Sequence, residues 1–265
     1  MSIPSQAPSH RSTVDAPDTD LPQATRLWAL IPCAGSGVRS GAACPKQYQS
    51  IAGQSLVLHT LAAFADVTRL AGILVVVGQG DTFFDASEKR FQVVACGGIT
   101  RALSVANGLA ALLERGAARH DWVLVHDAAR CLVTRTQINA LIDACLPDAV
   151  GGLLALPLPD TLKHAVDGRV TETLERSGKW LAQTPQMFRL GALQQALALA
   201  GEQVTDESSA IEAMGLRPLL VPGSAQNFKV TYAGDFALAE QVLLSRRGSS
   251  VMAVQNTPPR PSHDD

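Results

Sequence analysis

Short apolar runs alternate with helix-like segments along most of the chain. The runs are rich in Val, Leu and Ile and do not alternate strictly with polar residues, which is typical of strands buried on both faces of a parallel sheet. They lie at RLWALI (26–31), GILVVV (72–77), QVVA (92–95), DWVLVH (121–126) and GGLLALPL (151–158). The pattern predicts an α/β fold with an open, doubly wound, Rossmann-like and mostly parallel sheet.

Helical periodicity separates these runs and returns in the C-terminal part of the chain. The predicted helices are SLVLHTLAAFADV (55–67), TRALSVANGLAALLERG (100–116), TQINALIDACL (136–146), 190–200, 206–214 and 233–247, with a strand at LRPLLV (216–221) and a short run at NFKVT (227–231). Thr205 or Asp206 is expected to cap the helix near 206, because a short polar side chain there accepts hydrogen bonds from free N–H groups. A functional role for Asp206 is the alternative.

The segment DTLKHAVDGRVTETLER (160–176) has the pattern of two strands around Asp167-Gly168, a pair that favours a type I′ turn. An isolated two-stranded hairpin with few apolar residues is marginal in water. It must therefore lie on its own domain, or project and be held by another subunit. The second possibility predicts a homodimer, with residues 157–180 as a protruding β-arm between subunits.

The composition favours one large domain between two tails. Of 265 residues, 46% are hydrophobic, which is enough for a substantial core. Residues 1–25 and 247–265 are rich in polar residues and Pro and poor in apolar side chains, so we expect both tails to be disordered. The single α/β domain is expected to span residues 26–246.

Charge and cysteine usage exclude several classes of partner and location. The net charge is −2, so we expect no basic surface for nucleic acid. The five cysteines are an odd number without CxxC spacing, which favours reduced thiols in the cytoplasm. No apolar stretch reaches the roughly 18 to 20 residues of a membrane helix, and the N-terminus lacks the hydrophobic region of a signal peptide. We expect a cytoplasmic protein without a membrane or nucleic-acid partner.

The stretch CAGSGVRSGAACPKQY (33–48) follows the first predicted strand, where open α/β sheets bind ligands. Gly35 and Gly37 permit backbone N–H groups to approach a phosphate closely. The spacing is neither GxGxxG nor GxxxxGK[ST], so it fits neither the dinucleotide fingerprint nor the Walker loop. Arg39 and Lys46 lie in a segment without a carboxylate, which favours a polyphosphate ligand. A solvated, mobile loop is the alternative.

Two further strand ends carry polar residues. In CGGITRALSVANG (96–108), a Gly pair leads into a helix that begins with Arg101 and Ser104, which is a candidate anion or base-edge site; an ordinary capped helix is the alternative. In VLVHDAAR (123–130), a buried strand runs into His126, Asp127 and Arg130. An Asp in this position often approaches Mg²⁺ or a substrate hydroxyl, and a helix N-cap is the competing explanation.

Together these motifs resemble one enzyme family. CAGSGVR with CPKQY, GGxxRxxSVxNGL, HDAAR, PDTLK, LERSGKW, QTPQMF, TDESSA and NFKVT follow one another as they do in the 2-C-methyl-D-erythritol 4-phosphate cytidylyltransferase family, over residues 26–245. The resemblance implies a nucleotide-diphospho-sugar transferase type of fold and a homodimer joined through the β-arm. It also implies transfer of CMP from CTP to 2-C-methyl-D-erythritol 4-phosphate in the non-mevalonate isoprenoid pathway, with release of pyrophosphate.

The resemblance implies roles for individual residues as well. The CTP phosphates would be held by Pro32, Cys33, Ala34, Gly35 and Gly37, and the cytosine and ribose by Gly98, Arg101, Ser104 and Ala128. The acceptor would be held by Asp127, Arg130, Thr184, Thr205 and Lys229, and Thr161 and Arg176 would reach the neighbouring subunit's site on the arm. The catalytic cations would be Arg39, Lys46, Arg176 and Lys229. Mg²⁺ would bind mainly through the CTP phosphates, with Asp127 as a candidate protein ligand.

Three positions depart from the family pattern. Cys33 stands where Ala is more usual, and Cys131 follows HDAAR where Pro is usual. Ile99 and Thr100 occupy positions where an acidic residue is common. A missing carboxylate there would weaken a contact to the ribose or the base, whereas backbone contacts at Cys33 survive the change of side chain.

Three other functions compete with this interpretation. A cytidylyltransferase for another polyol phosphate, such as ribitol 5-phosphate, would share the loop and the HDAAR-like strand. A non-catalytic nucleotide-binding dimer is the alternative from another class, although Arg39, Lys46, Asp127 and Lys229 argue for chemistry. A NAD-dependent dehydrogenase fits least, because the glycine spacing is wrong and no acidic residue ends the second strand before Asp81.

Overall fold

The computed structural model describes residues 24–35, 45–84, 90–201 and 204–255. The predicted N-terminal tail therefore lies almost wholly outside the described residues, as do residues 256–265 of the predicted C-terminal tail. The last helix differs from the prediction, since it continues past Arg247 to Gln255. In the described part of the chain, no helix combines the length and apolar content needed to cross a membrane.

A seven-stranded sheet forms the centre of the protein. The strands are β1 Leu27–Pro32, β2 Ser50–Ile51, β3 Gln54–Ser55, β4 Gly72–Val76, β5 Gln92–Val94, β6 Trp122–Val125, β7 Gly151–Pro157, β8 Leu162–Val166, β9 Arg169–Leu174, β10 Trp180–Arg189 and β11 Leu219–Pro222. The large sheet has the order β11-β7-β10-β6-β1-β4-β5, and β2 with β3 and β8 with β9 form two small hairpins. The predicted mostly parallel α/β sheet is confirmed.

Six helices cover the sheet in the described residues. They are α1 Leu56–Ala65, α2 Arg101–Glu114, α3 Arg135–Cys145, α4 Leu190–Ala200, α5 Glu207–Ala213 and α6 Ala233–Gln255, and Lys46–Tyr48 form one 3₁₀ turn. The helix at α5 begins as predicted, because the Asp206 side chain accepts from the Ser209 N–H at 3.0 Å in a capping box. Asp206 is thus confirmed as a cap.

Strand β6 shows why the central runs are apolar throughout. Trp122 and Leu124 face a core that also contains α1 and α3, whereas Val123 and Val125 face a second core with α2 and α4. Since both faces of the sheet are covered, successive side chains are buried and the strand shows no polar alternation. The continuous Val and Leu pattern therefore indicates a sheet that is covered on both faces, as this one is.

Strand β10 is the element that the apolar pattern does not reveal. It runs antiparallel between β6 and β7, and its register with β7 shifts between Ala182 and Gln186, around a cis Thr184–Pro185 peptide bond. Its buried amides find specific partners: Gln183 Nε2 donates to the Ser224 carbonyl oxygen at 2.8 Å. A central strand with buried polar residues and a proline has no recognisable strand signature.

The predicted hairpin is confirmed as β8 and β9. Asp167 and Gly168 have φ values of 48° and 75°, as a type I′ turn requires. The two strands form a sheet of their own, and Val166 and Val170 are 52% and 63% exposed. The hairpin therefore does not bury its apolar side chains on the described part of its own domain.

Candidate active site

A cavity of about 580 Å³ opens at the carboxyl ends of β1 and β6. Pro32 and Cys33 at the end of β1 line one side, and Asp127 and Ala128 after β6 line another. Strand β1 pairs with β4 on one side and with β6 on the other, so the cavity lies at the point where the strand order reverses. Ligands of open α/β sheets bind at this point, and the volume is typical of a small-molecule site.

The glycine-rich loop is fixed by a buried amide. Pro32, Cys33, Ala34 and Gly35 line the cavity, whereas Gly37 and Arg39 lie outside the described residues. Gln47 Nε2 donates to the carbonyl oxygens of Cys33 at 3.0 Å and Gly35 at 2.7 Å. Gln47 also lines the cavity, and the sequence pattern does not reveal it because a lone amide has no distinguishing spacing.

Cys33 contributes its backbone and not its thiol. The side chain is 2% exposed, and burial raises the pKa of the thiol to about 12. The thiol therefore stays protonated at neutral pH and is a poor nucleophile and metal ligand. This agrees with the expectation that an Ala-to-Cys difference leaves the loop's backbone contacts intact.

The segment after β5 packs directly against the loop at Gly97. A Cβ atom there would lie 2.2 Å from the Ala34 Cβ and 2.8 Å from the Val77 carbonyl oxygen. Only glycine fits such a close approach of two backbones. The Gly pair thus closes one wall of the cavity against the glycine-rich loop.

The start of α2 forms that wall and is also an ordinary capped helix. Thr100 Oγ1 accepts from the Leu103 N–H at 3.1 Å. Ser104 Oγ accepts from the Gly98 N–H at 3.0 Å and donates to the Thr100 carbonyl oxygen at 2.9 Å. Gly98 and Ser104, which the resemblance assigns to cytosine and ribose, line the cavity, and Ile99 lies at its rim with 95% of its surface exposed.

Asp127 lies at the centre of a cluster of cations. Its Oδ1 accepts from Arg101 Nε at 2.7 Å, and its Oδ2 accepts from Lys229 Nζ at 2.9 Å and lies 3.7 Å from Arg130 Nε. Burial by itself would raise the pKa of this carboxyl, but Arg101, Lys229 and Arg130 outweigh it and hold the pKa well below its usual range. Asp127 is therefore ionised at any physiological pH.

Arg101 connects Asp127 to a second buried carboxylate. Its Nη1 and Nη2 donate to Glu207 Oε1 and Oε2 at 2.7 and 3.0 Å. Burial would lower the pKa of the guanidinium, but Glu207 and Asp127 together raise it. Arg101 lines the cavity as predicted, yet the side chain bridges two carboxylates. Glu207 is only 1% exposed, and its place beside a helix cap in TDESSA gives no sign of this contact.

A neutral histidine supports Asp127 from below the cavity. Thr184 Oγ1 accepts from the Asp127 backbone N–H at 3.0 Å and lies 3.0 Å from His126 Nδ1. His126 Nε2 lies 3.1 Å from the Arg130 carbonyl oxygen, which only accepts, so the ring carries its proton on Nε2 and Nδ1 accepts from Thr184. Burial lowers the pKa of His126 to about 3, and the ring is neutral.

The other predicted site residues take different positions. Lys46 lines the cavity, and its Nζ donates to the Val230 carbonyl oxygen at 2.8 Å. The Thr184 hydroxyl is buried beneath Asp127, and Arg130 Nη1 donates to the Asn227 carbonyl oxygen at 2.8 Å. Thr161, Arg176 and Thr205 are exposed and do not line this cavity, and Arg176 donates to the Pro159 carbonyl oxygen. The chain's own arm therefore does not reach its own cavity.

The side chains of the cavity could hold a metal ion only if a bound ligand supplied most of the coordinating atoms. Within the described ranges, no group of three or more His, Cys, Asp or Glu side chains could hold a metal. Among the described residues that line the cavity, Asp127 is the only acidic one, and both its oxygens accept from cations. Mg²⁺ is commonly held by one or two carboxylates together with phosphate oxygens, which is compatible with this arrangement.

Comparison with known families decides between the chemistries that such a cavity permits. Residues 27–245 match the family model described as IspD, 2-C-methyl-D-erythritol 4-phosphate cytidylyltransferase. The chain belongs to this family. As a cytidylyltransferase it is an enzyme of the nucleotidyltransferase class, and the family's reaction is the CTP-dependent transfer of a cytidylyl group to 2-C-methyl-D-erythritol 4-phosphate in isoprenoid biosynthesis.

Individual cytidylyltransferases resemble the chain over most of its length. The 2-C-methyl-D-erythritol 4-phosphate cytidylyltransferase of Burkholderia multivorans is 52% identical over 85% of this chain and 99% of its own length. A bifunctional enzyme IspD/IspF of Albidiferax ferrireducens is 69% identical over 83% of this chain, which spans about half (54%) of that relative. A crystal structure of a 4-diphosphocytidyl-2C-methyl-D-erythritol synthase matches 83% of this chain and 98% of its own, with 42% identity and a TM-score of 0.75.

Proposed function

We propose that the described cavity transfers CMP from CTP to 2-C-methyl-D-erythritol 4-phosphate. A phosphate oxygen of the acceptor attacks the α-phosphorus of CTP, the bond from that phosphorus to the β-phosphate oxygen breaks, and pyrophosphate leaves. The product is 4-diphosphocytidyl-2-C-methyl-D-erythritol. One observation carries the proposal: among the residues that the structure describes, three basic side chains and a single carboxylate line a cavity at the switch point of the sheet.

The chemistry requires positioned charge and no general base. The attacking phosphate oxygen is already ionised at neutral pH, so no proton has to be removed from it. The difficulty is to bring two polyanions together in line and to stabilise the charge that develops on the α-phosphate and on pyrophosphate. Lys46 and Lys229 fit this task because compact ammonium groups stabilise phosphate oxygens. Arg39, outside the described residues, keeps its proposed role beside Lys46.

The nucleotide occupies the side of the cavity formed by the glycine-rich loop and α2. Backbone N–H groups of the loop, from Ala34 and Gly35 on through Gly37, hold the triphosphate in this proposal, and Pro32 and Cys33 precede them at the end of β1. Gly98, Ser104 and Ala128 line the wall assigned to cytosine and ribose. Arg101 also lies in this wall, where it is held between the carboxylates of Asp127 and Glu207. A bound Mg²⁺ would supply further neutralisation of the phosphates, and Asp127 is its candidate protein ligand.

The acceptor occupies the side formed by Asp127 and Lys229. Lys229 is 41% exposed at its side chain and is held by Asp127, so its ammonium is available to a phosphate. Thr184 and Arg130 act indirectly here, since both lie against Asp127 from the protein side. Thr205 keeps its proposed contact to the acceptor, although its hydroxyl lies 3.3 Å from Ser209 Oγ in this structure.

A homodimer completes the site in this proposal. The chain's own Arg176 and Thr161 do not line its own cavity, and the hairpin that carries them has exposed apolar residues. Both observations support an arm that reaches the cavity of a second subunit. We also place the enzyme in the cytoplasm, which is supported by four free cysteines among the described residues.

A panel of acceptors tests the proposed reaction. The protein is incubated with CTP and Mg²⁺ and with 2-C-methyl-D-erythritol 4-phosphate, ribitol 5-phosphate or no acceptor, and pyrophosphate release is followed. We expect release that depends on 2-C-methyl-D-erythritol 4-phosphate and is far slower with ribitol 5-phosphate. Faster turnover with ribitol 5-phosphate would assign a different acceptor, and CTP binding without release on any acceptor would indicate a non-catalytic nucleotide-binding protein.

A further inference from the structure

Four side chains form a row of alternating charges from the buried start of α5 to the cavity. Glu207 accepts from Arg101 through both carboxylate oxygens, Arg101 donates to Asp127 Oδ1, and Asp127 Oδ2 accepts from Lys229. Successive N···O distances are 2.7 and 3.0, then 2.7, then 2.9 Å. The two ends of the row differ in exposure, with the Glu207 side chain 1% exposed and that of Lys229 41% exposed. The row thus connects a buried anion to an ammonium group in the site.

The geometry of Arg101 makes the row stiff. A guanidinium is planar, so a fork of two hydrogen bonds to Glu207 also fixes the direction of its third donor, Nε. That donor points at Asp127 Oδ1. The two ends of Arg101 therefore cannot be oriented independently, and Glu207 determines how Arg101 meets Asp127.

The charge balance gives Glu207 a second effect on the same row. Arg101 divides its attraction between Glu207 and Asp127, and Lys229 and Arg130 also lie beside Asp127. Without the charge of Glu207, Asp127 would be the one remaining carboxylate of this row for Arg101. Asp127 would then be drawn toward Arg101 and away from Lys229, because one carboxylate cannot keep ideal geometry with every cation around it.

We propose that Glu207 is a positioning residue that acts through Arg101 and Asp127 to hold the Lys229 ammonium at the acceptor phosphate. Glu207 itself is too deeply buried to touch either substrate. The inference rests on the proposed function, which assigns Lys229 to the acceptor side of the cavity. It adds a residue on α5 that neither motif spacing nor the cavity lining identifies.

The principal test is Glu207→Gln, which keeps the shape of the side chain and removes its charge. We expect the KM for 2-C-methyl-D-erythritol 4-phosphate to rise about tenfold, the size of effect expected when a charged hydrogen bond is lost. The KM for CTP should rise less than the KM for the acceptor. Arg101 also lies in the nucleotide wall, but the glycine-rich loop assigned to the triphosphate is fixed separately by Gln47. A general loss of structure would not raise the KM for the acceptor more than the KM for CTP.

A matched control separates positioning from stability. Asp121 is also a buried carboxylate paired with an arginine, at the opposite end of β6, with Asp121 Oδ2 3.0 Å from Arg26 Nη2. We expect Asp121→Asn to lower the thermal unfolding midpoint and to leave both KM values within twofold of the wild type. If Glu207→Gln behaves like Asp121→Asn, the positioning role is wrong.

Arg101→Lys tests whether the effect passes along the row. Lysine keeps the charge but cannot bridge both carboxylates, so we expect a rise of about tenfold or more in the acceptor KM. In the double variant with Glu207→Gln, the two effects should be clearly less than multiplicative, because both changes break the same connection. Multiplicative effects would overturn the proposal. If Glu207→Gln does not fold, an unchanged acceptor KM in Arg101→Lys overturns it equally.

The wild type separates this inference from the proposed function. Absence of pyrophosphate release from the wild type with CTP and 2-C-methyl-D-erythritol 4-phosphate would refute the reaction itself. Normal wild-type turnover with an unchanged acceptor KM in the Glu207 variant would refute only the positioning role.

Discussion

The two lysines that line the cavity are positioned by different hydrogen-bond partners. Lys229 is paired with Asp127, whereas Lys46 donates to the Val230 carbonyl oxygen at 2.8 Å from a 3₁₀ turn. Both ammonium groups are thus directed by hydrogen bonds before any substrate arrives. Such preorganisation is the main way in which a site stabilises developing charge.

Replacement of Lys46 tests that role. We expect Lys46→Ala to lower kcat by about 10²- to 10³-fold, the usual cost of removing one preorganised donor to a developing charge, with a smaller change in CTP affinity. Arg69→Ala removes a cation that pairs with Asp143 on the surface and should keep kcat near the wild-type value. Steady-state kinetics at saturating substrates gives the comparison, and near-normal turnover of Lys46→Ala would refute its role at the α-phosphate.

His126 predicts a specific dependence of stability on pH. Burial lowers its pKa from 6.5 to about 3, so the unfolded chain binds a proton that the folded chain does not between these values. Its contribution to stability is complete above about pH 6.5 and is lost as the pH falls toward 3, with a slope of up to about 1.4 kcal/mol per pH unit. Denaturant unfolding of the wild type and His126→Gln should show a shallower slope in the variant.

An exposed histidine controls for the loss of an imidazole. His120→Gln removes an imidazole from a half-exposed side chain at the other end of β6, and the change of slope in His126→Gln should exceed the change in this control. Equal slopes in the wild type and His126→Gln would contradict a neutral, buried His126.

Residues of the site differ in how far the sequence indicates them. The place of Asp127 at the end of a buried strand indicates it in the sequence, whereas Lys229 is indicated mainly by the family resemblance. Glu207 and Gln47 are not indicated in the sequence, because their roles depend on contacts to Arg101 and to loop carbonyls that only the folded chain brings together. Thr184 and Arg130, which the resemblance assigns to the acceptor, both contact Asp127 from the protein side.

At the scale of elements, the glycine-rich loop and the 3₁₀ turn Lys46–Tyr48 act as one unit. Gln47 holds the loop through two carbonyl oxygens, and Tyr48 stacks on Phe83 with ring centroids 4.0 Å apart. The turn therefore fixes the loop on one side and presents Lys46 on the other.

Gln47→Glu tests this unit with almost no change of shape. A carboxylate cannot donate, so both hydrogen bonds to the loop are replaced by repulsion between oxygens. We expect kcat/KM for CTP to fall at least tenfold, while the KM for the acceptor changes less. The control in the same assay is Gln226→Glu. Gln226 is exposed, and its Oε1 accepts from Arg246 Nη2 at 2.9 Å. An unchanged kcat/KM for CTP in Gln47→Glu would show that the loop is held by other contacts.

The elements themselves follow the sequence where burial is uniform. The runs on β1, β4 and β6 are apolar because two cores cover them, and their bounds agree with the prediction to within a residue or two. Strand β10 escapes prediction because its buried Gln183, Thr184 and Gln186 are stabilised by individual partners. A pattern of residue types does not show which buried polar groups will form hydrogen bonds with each other.

At the scale of the whole molecule, the hairpin is the feature that a single chain does not explain. Its sequence predicts both the turn and the small number of apolar contacts. In the structure the hairpin is exposed, and Arg176 does not line the cavity of the same chain. In the proposed homodimer, the surface that the hairpin meets lies on a second chain, so no local sequence pattern encodes it.

Mixing two inactive variants tests the dimer. If Arg176 acts on the neighbouring subunit, a heterodimer of Lys46→Ala and Arg176→Ala contains one site with both residues intact. Equal amounts, unfolded and refolded together, should recover about a quarter of wild-type activity, as a twofold symmetric dimer requires. Mixing Lys46→Ala with Lys229→Ala should recover no activity, since both residues belong to one subunit's cavity. No recovery in the first mixture would place Arg176 outside the neighbouring site.

³¹P NMR of the reaction shows whether this cavity joins CMP to the acceptor phosphate. With wild-type protein, CTP, Mg²⁺ and 2-C-methyl-D-erythritol 4-phosphate, we expect the monophosphate and triphosphate signals to decline together. A coupled diphosphate pair and pyrophosphate should replace them, and the Lys46→Ala, Lys229→Ala double variant should show neither. Unchanged CTP, CMP without the coupled pair, or the same product from the double variant would contradict the account.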